Sequence, residues 1–316
     1  MYNFDSIGLS RRDLLNACAG ASSGVIAAVF VCPLDLIKTR LQVHGLRNLP
    51  PTNGSYIIAS LEQIVKNEGM SGMYRGLAPT ILALLPTWAV YFTVYGKLKH
   101  EFASGTNDQL SVAGNVLAAV GAGTASALVS NPLWVVKTRI QARDIKSEMV
   151  LYESTLSALR TIKRQEGFRG LYSGILPSLA GVSHAAIQFP AYEKLKSYLA
   201  KTENTTVDKL SPGNLAVASS LSKLLASTIT YPHEVIRSKL QGQSYTNETG
   251  SRYSGAIDCT KKVFMRDGLP GLYRGYATNL LRTIPTNVIT LTSYELIYRL
   301  LNRVLLDEKD HKLAPR

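Results

Sequence analysis

One charged pattern behind a proline occurs three times in this chain of 316 residues, and no other feature limits the fold as strongly. The copies are Pro33-Leu-Asp35-Leu-Ile-Lys38-Thr-Arg40, Pro132-Leu-Trp134-Val-Val-Lys137-Thr-Arg139 and Pro232-His-Glu234-Val-Ile-Arg237-Ser-Lys239, about a hundred residues apart. A second triplet keeps the same frame: Glu68-Gly69 before Tyr74-Arg75-Gly76, Glu166-Gly167 before Tyr172-Ser173-Gly174, and Asp267-Gly268 before Tyr273-Arg274-Gly275. Two motifs in one register, three times over, mean three homologous units, placed at 1–105, 106–207 and 208–316. Function is then expected at the axis that relates them.

Mean hydropathy is only +0.04, so the distribution of apolar residues decides the class. Residues 14–34, 77–96, 110–136 and 171–192 carry no charged side chain, with His184 their one histidine. Each is about 20 residues or longer, enough to cross a hydrocarbon core of about 30 Å as a helix. Four clear spans and threefold repetition predict six, two per unit. Such runs exclude a soluble helical scaffold. The net charge of +13 suits anionic lipid head groups and a cavity for an anionic solute. It is spread over all three units, which argues against nucleic acid. Cys18, Cys32 and Cys259 give no disulfide framework, and the first two, inside apolar runs, are expected in the core. The N-terminus shows no signal-peptide pattern, so targeting is expected to be internal. No nucleophile–base set or metal spacing appears, and His44, His100, His184, His233 and His311 are scattered, so neither an enzyme nor a cofactor is expected.

Each unit reads as a span, a polar connector with an amphipathic helix, and a second span. The first helix is expected from about Arg11 to beyond Arg40, with Pro33 inside it. Over 56–67, Ile57, Leu61, Ile64 and Val65 share a helical face. Small residues recur before the proline: Gly20, Gly24 and Ala28, then Ala119, Gly123 and Ala127. Such a stripe lets a neighbouring helix approach closely in lipid. The third unit has Ser219, Lys223 and Ser227 there, so a cation replaces one member.

Lys223 interrupts the fifth span and Arg282 the sixth. A cation near a helix centre costs about 2.5–3.5 kcal/mol on insertion scales, so such residues face a water-filled cavity or a counter-ion. Seven residues past the glycine of each second motif stand Ala83, Gly181 and Arg282. Two small residues leave room for a flat group, and a guanidinium grips phosphate or carboxylate. Ten past the same glycines stand Pro86, His184 and Pro285, which makes His184 the odd member and a candidate ligand contact.

Asp35 and Lys38 share a helix face, as do Glu234 and Arg237. With three such helices around an axis, the acid of one can meet the base of the next, and the ring closes one end of a pore. Trp134 replaces the acid in the second unit, which leaves Arg237 without an ionic partner there. Gln42, Gln141 and Gln241 follow each proline at one fixed distance, and an amide can span both charges of a pair. A weaker ring is expected at the other end, from Tyr192-Glu193-Lys-Leu-Lys196, Tyr95-Gly96-Lys-Leu-Lys99 and Tyr294-Glu295-Leu-Ile-Tyr298.

The triplicated proline–acid–base motif with its downstream acid–glycine and aromatic–base–glycine motif resembles the mitochondrial carrier family over nearly the whole chain. The resemblance implies an all-α membrane protein: six transmembrane helices in a threefold pseudosymmetric barrel, three short amphipathic helices on the matrix side, and alternating access in the mitochondrial inner membrane, with plastid and peroxisomal membranes as alternatives. It implies a matrix gate pairing Asp35 with Lys137 and Glu234 with Lys38. It maps the substrate contacts onto Ala83, the Gly181-Val182 pair and Arg282, with Gly181-Val182 receiving adenine. At the cytoplasmic end it completes only Lys99 with Glu295 and puts Glu193 near Tyr298. Trp134 is similar to the pattern of the branch that carries NAD+, pyrimidine nucleotides, FAD and folate, and the likeness to NAD+ carriers implies exchange of NAD+ for an adenine or related nucleotide by a monomer. Cardiolipin is implied near Gly72, Tyr172–Gly174 and Tyr273–Gly275. A proton or anion leak protein of the same fold is the alternative of another class.

Overall fold

The computed structural model describes residues 11–45, 56–103, 112–143, 154–181, 183–203, 205–207, 210–243 and 253–313. Among them the structure is helical, without a strand. Each repeat has a long first helix: α1 (Arg11–His44), α4 (Val112–Ala142) and α8 (Pro212–Gly242). Each then has a short helix: α2 (Tyr56–Gly72), α5 (Thr155–Leu171) and α9 (Ala256–Leu272). The second crossing is α3 (Leu77–Ala103) in the first repeat, α6 (Ile175–Ala180) followed by α7 (Ser183–Thr202) in the second, and α10 (Tyr276–Leu313) in the third. The expected span over 171–192 is thus broken at Gly181.

The helices close a ring. α3 packs on α4, α7 on α8 and α10 on α1, while α1, α4 and α8 meet one another. Pro33, Pro132 and Pro232 lie inside the three long helices. Among the described residues three helices meet the length and hydropathy of a membrane span by themselves: Ala19–His44, Leu77–Phe102 and Gly114–Ala142. The others carry the polar and charged positions at issue below. Phe30, Leu85, Phe92, Leu117, Leu225, Ile229 and Leu291 are exposed apolar side chains distributed over these helices, a surface that belongs in lipid.

Each short helix buries one face against the end of its own long helix. Val135 and Val136 pack with Ala158, Ile162 and Leu171. Ile236 and Leu240 pack with Cys259, Val263 and Leu272. Leu36, Ile37 and Leu41 pack with Ile64, and Ile57 and Leu61 border them. Val65 is exposed, so it lies off the face assigned to it from periodicity. Equivalent residues build all three clusters, which is why the apolar pairs behind each motif recur.

Both glycines of the second motif have positive φ in every repeat: Gly69, Gly167 and Gly268 at 70°, 67° and 63°, and Gly76, Gly174 and Gly275 at 86°, 73° and 80°. The first set turns the chain inside the short helix. The second set also permits close approach of the next repeat. A Cβ on Gly76 would meet Gln141 Cγ at 2.5 Å, one on Gly174 the Arg237 carbonyl at 3.1 Å, and one on Gly275 the Lys38 carbonyl at 3.3 Å.

The small-residue stripe runs one position from where spacing put it. The buried sets are Ala19, Ser23 and Ala27; Ala118, Ala122 and Ser126; and Ala218, Ser222 and Ala226. Both registers are rich in small residues, so spacing alone could not separate them. Gly20 and Gly24 face open space, with no atom within 4 Å of a Cβ built there. Lys223 shares that open register and replaces nothing in the packing seam.

Candidate functional site

At the end where α1, α4 and α8 converge, the three motifs form a ring of charge. Lys137 Nζ lies 2.6 Å from Asp35 Oδ2, joining α4 to α1. Lys38 Nζ lies 2.7 Å from Glu234 Oε2, joining α1 to α8. The third contact has no acid. Instead Lys137 Nζ lies 5.0 Å and the Arg237 guanidinium 5.7 Å from the Trp134 ring centre. A tryptophan face attracts cations through its quadrupole, by about 0.5–2 kcal/mol according to desolvation. The aromatic side chain thus fills the place of an ion pair between α4 and α8 with a weaker, less directional contact.

Among the described residues only one of the three glutamines reaches a charge. Gln141 donates from Nε2 to Asp35 Oδ2 at 3.1 Å and accepts from Thr39 Oγ1 at 2.8 Å. Gln42 donates to the Tyr231 hydroxyl at 2.9 Å and accepts from Ser238 at 2.6 Å. Gln241 accepts from Thr138 at 3.0 Å. Gln42 and Gln241 tie neighbouring long helices through neutral groups, and Gln141 reaches the acid of its pair but not the base, so none spans both charges. The side chains approach through hydroxyl-bearing residues one turn away, which fill the amides first.

Arg282 does not face lipid. Its Nη1 donates to Asp35 Oδ1 at 2.8 Å and its Nη2 to Asn279 Oδ1 at 3.3 Å. One carboxylate therefore holds Lys137 with one oxygen and Arg282 with the other. Lys223 Nζ donates to Asn287 Oδ1 at 3.0 Å, from α8 to α10. His184 Nδ1 is 3.0 Å from Thr230 Oγ1 on α8. Gly181 is half-buried at the break after α6. Val182 lies outside the described residues. Ala83 is fully buried and offers no surface for contact in this conformation. Its turn is packed on α4, where Ser126 Oγ donates to the Thr87 carbonyl at 2.8 Å, so its small size serves helix packing here.

At the opposite end Glu193 bonds Lys196 of its own helix at 3.1 Å, and Glu295 pairs with Arg299 of its own helix. Among the described residues no ion pair joins Lys99, Glu193, Glu295 or Tyr298 across helices. The charged ring is closed at one end only.

A further set of links was not foreseen from the sequence. Arg139 grips Glu166 through both Nη atoms at 2.6 Å, with the two side chains 4% and 1% exposed. Arg40 pairs with Glu68 at 2.7 Å, and Arg75 binds the other oxygen. In the third repeat Asp267 takes Arg266 and Arg274 at 3.0 and 3.1 Å, and Lys239 donates instead to the Val43 carbonyl at 3.1 Å. The signal was present as the last base of the first motif and the acid of the second.

The pattern of the mitochondrial carrier protein family matches residues 12–105, 108–203 and 208–305. The chain belongs to the mitochondrial carrier family. It is 59% identical over 296 residues to nicotinamide adenine dinucleotide transporter 2, mitochondrial, of Arabidopsis thaliana, covering 93% of this chain and 81% of that protein. It is 58% identical over 294 residues to the chloroplastic nicotinamide adenine dinucleotide transporter 1 of the same plant, covering 92% and 93%. To the mitochondrial nicotinamide adenine dinucleotide transporter 1 of Saccharomyces cerevisiae it is 41% identical over 287 residues, covering 89% and 75%. Within this family the six crossings, broken once at Gly181, form the carrier barrel, and α2, α5 and α9 lie on its matrix side.

Proposed function

We propose that this carrier moves NAD+ across an organelle membrane by alternating access, in exchange for an adenine or related nucleotide. The observation that carries the reading is the pair of cations held between long helices, Lys223 of α8 on Asn287 of α10 and Arg282 of α10 on Asp35 of α1. Two cations suit a diphosphate, with Gly181-Val182 as the adenine slot and His184 beside it. The transporters to which the chain is similar support NAD+ as the cargo. The charged ring at the matrix end, with its two interhelical ion pairs, serves as the matrix gate, and Lys99, Glu193, Lys196, Glu295 and Tyr298 as the cytoplasmic one. The conformation described is then the one open to the cytoplasm.

The mitochondrial inner membrane is the proposed location, and a plastid membrane is the second reading that the chloroplastic relative favours. The carrier acts as a monomer. Cardiolipin is proposed near Gly72, Tyr172–Gly174 and Tyr273–Gly275, and the second of these lines a cleft with Arg139 and Arg169.

Uptake of labelled NAD+ into proteoliposomes preloaded with a nucleotide panel tests the proposal. Wild-type protein exchanges NAD+, and Arg282→Ala loses about a hundredfold or more, the scale of one desolvated charge-assisted contact. Transport of NAD+ unaffected by that substitution refutes the site. No NAD+ uptake by the wild type, or uptake only of a pyrimidine nucleotide, FAD or folate, refutes the cargo.

A further inference from the structure

Lys223 Nζ and Asn287 Oδ1 meet at 3.0 Å in the third repeat, and the first repeat has a different pair at the same two positions. Lys223 stands nine before its motif proline, and Gly24 stands nine before Pro33. Asn287 stands twelve past Gly275, and Trp88 twelve past Gly76. Trp88 is also seven before Tyr95, as Asn287 is seven before Tyr294, so the register holds from both ends. A cation and its polar partner several turns from a helix end face the bundle interior, and by register Trp88 does so too. Tryptophans of the interfacial belt sit at span ends. Trp88 lies near the middle of the span Leu77–Phe102.

The indole is held but not covered. Phe92 stacks on it with 5.6 Å between ring centres and 21° between planes, and Tyr91 meets it edge-on at 6.1 Å. Tyr91 in turn stacks on Tyr95 at 6.0 Å. Trp88 is still 51% exposed. A Cβ built on Gly24 would meet no atom within 4 Å, so the space that the Lys223 side chain takes in the third repeat stays open in the first. Residues 77–96 carry no charge, and among the described residues no cation lies over the Trp88 ring.

We propose that Trp88, braced by Tyr91 and Phe92, seats the nicotinamide ring and reads its positive charge. The proposal rests on the reading of the cargo as NAD+. The oxidised ring is a flat pyridinium cation. Lys223 and Arg282 attract the diphosphate and repel that ring, so the two ends of the solute need different walls. A tryptophan face offers a cation the negative side of its quadrupole, more strongly than tyrosine or phenylalanine, and stacks on a flat ring as well. The first repeat thus carries an aromatic face where the third carries a cation, which matches a solute that is negative in its middle and positive at one end.

Proteoliposomes are offered labelled NAD+ or benzamide adenine dinucleotide, which keeps the flat ring and its carboxamide and lacks the ring charge. For the wild type the ratio of maximal rate to KM is expected to favour NAD+ by about two- to thirtyfold, the scale of one cation–π contact. Trp88→Leu brings that preference close to one, and Trp88→Phe, which keeps a weaker aromatic face, falls between. Equal handling of the two dinucleotides by the wild type overturns this proposal alone, whether or not the variants fold. A preference that survives Trp88→Leu, as one carried by a carboxylate elsewhere in the cavity would, overturns it too, and so does a Trp88→Phe preference no smaller than the wild type's. Uptake of neither dinucleotide overturns the cargo assignment and this proposal with it.

Discussion

Glu166→Gln and Asp267→Asn remove one negative charge from equivalent places in the second and third repeats, yet the structure assigns them different costs. Glu166 is 1% exposed and holds both Nη atoms of Arg139, itself 4% exposed, at 2.6 Å. Neutralising it strands a buried guanidinium, a loss of about 3–5 kcal/mol. Asp267 faces Arg266, 57% exposed, and Arg274, 23% exposed, at 3.0 and 3.1 Å, and neither cation is stranded without it. Pairs of that kind contribute about 0–1 kcal/mol. Burial pushes the Asp267 carboxyl up, but the Arg266 hydrogen bond and the Arg274 charge outweigh it and hold it below the usual carboxylate range. Its small contribution is therefore present above about pH 4, the unfolded value, and is lost as pH falls through the lower folded one. Thermal unfolding of detergent-solubilised protein, followed with a thiol-reactive dye on the buried Cys32 and Cys259, measures the difference. The two losses differ by about 2–5 kcal/mol, so at about 2–4 °C per kcal/mol Glu166→Gln should melt about 4–20 °C below Asp267→Asn. Equal losses for the two variants would refute the reasoning.

Trp134→Glu supplies the acid missing from the matrix ring. It should pair with Arg237, hold the matrix end shut and slow NAD+ exchange about tenfold in proteoliposomes. Faster exchange, or a resting wild type whose introduced cysteines label from the matrix side, contradicts the gate. Burial pushes the Cys259 thiol up to about 12, with the Lys239 charge opposing it. In a variant that keeps only this cysteine, maleimide at pH 8 should label on unfolding and not before; rapid labelling of native protein would show α9 to be undocked.

Repetition made the ring legible. Order alone says that the acid of one long helix meets the base of a neighbour; the sense of the ring, Asp35 to Lys137 and Glu234 to Lys38, was implied by the family resemblance and is the one the structure has. Trp134 likewise predicted a gap, although not that its ring would take two cations. What failed were distinctions of one residue or one partner. Gly20 and Ala19 belong to adjacent stripes of small residues, and only packing tells which is buried. Arg282 was recognised as an interior cation, but its contact with Asp35 joins two motifs that sequence logic kept apart. Ala83 looked like a place for a ligand because smallness reads the same whether a helix or a solute fills the space. The Arg139–Glu166 clamp went unseen because its partners lie 27 residues apart in two different motifs, and nothing in their order pairs them.

Asp35 serves two masters with its two oxygens, Lys137 on one side and Arg282 on the other. A phosphate that captured the guanidinium would leave that carboxylate to Lys137 and Gln141. If Arg282 holds the solute as proposed, affinity for the solute and the strength of the closed door draw on the same atom pair, and a substitution at position 282 alters both together.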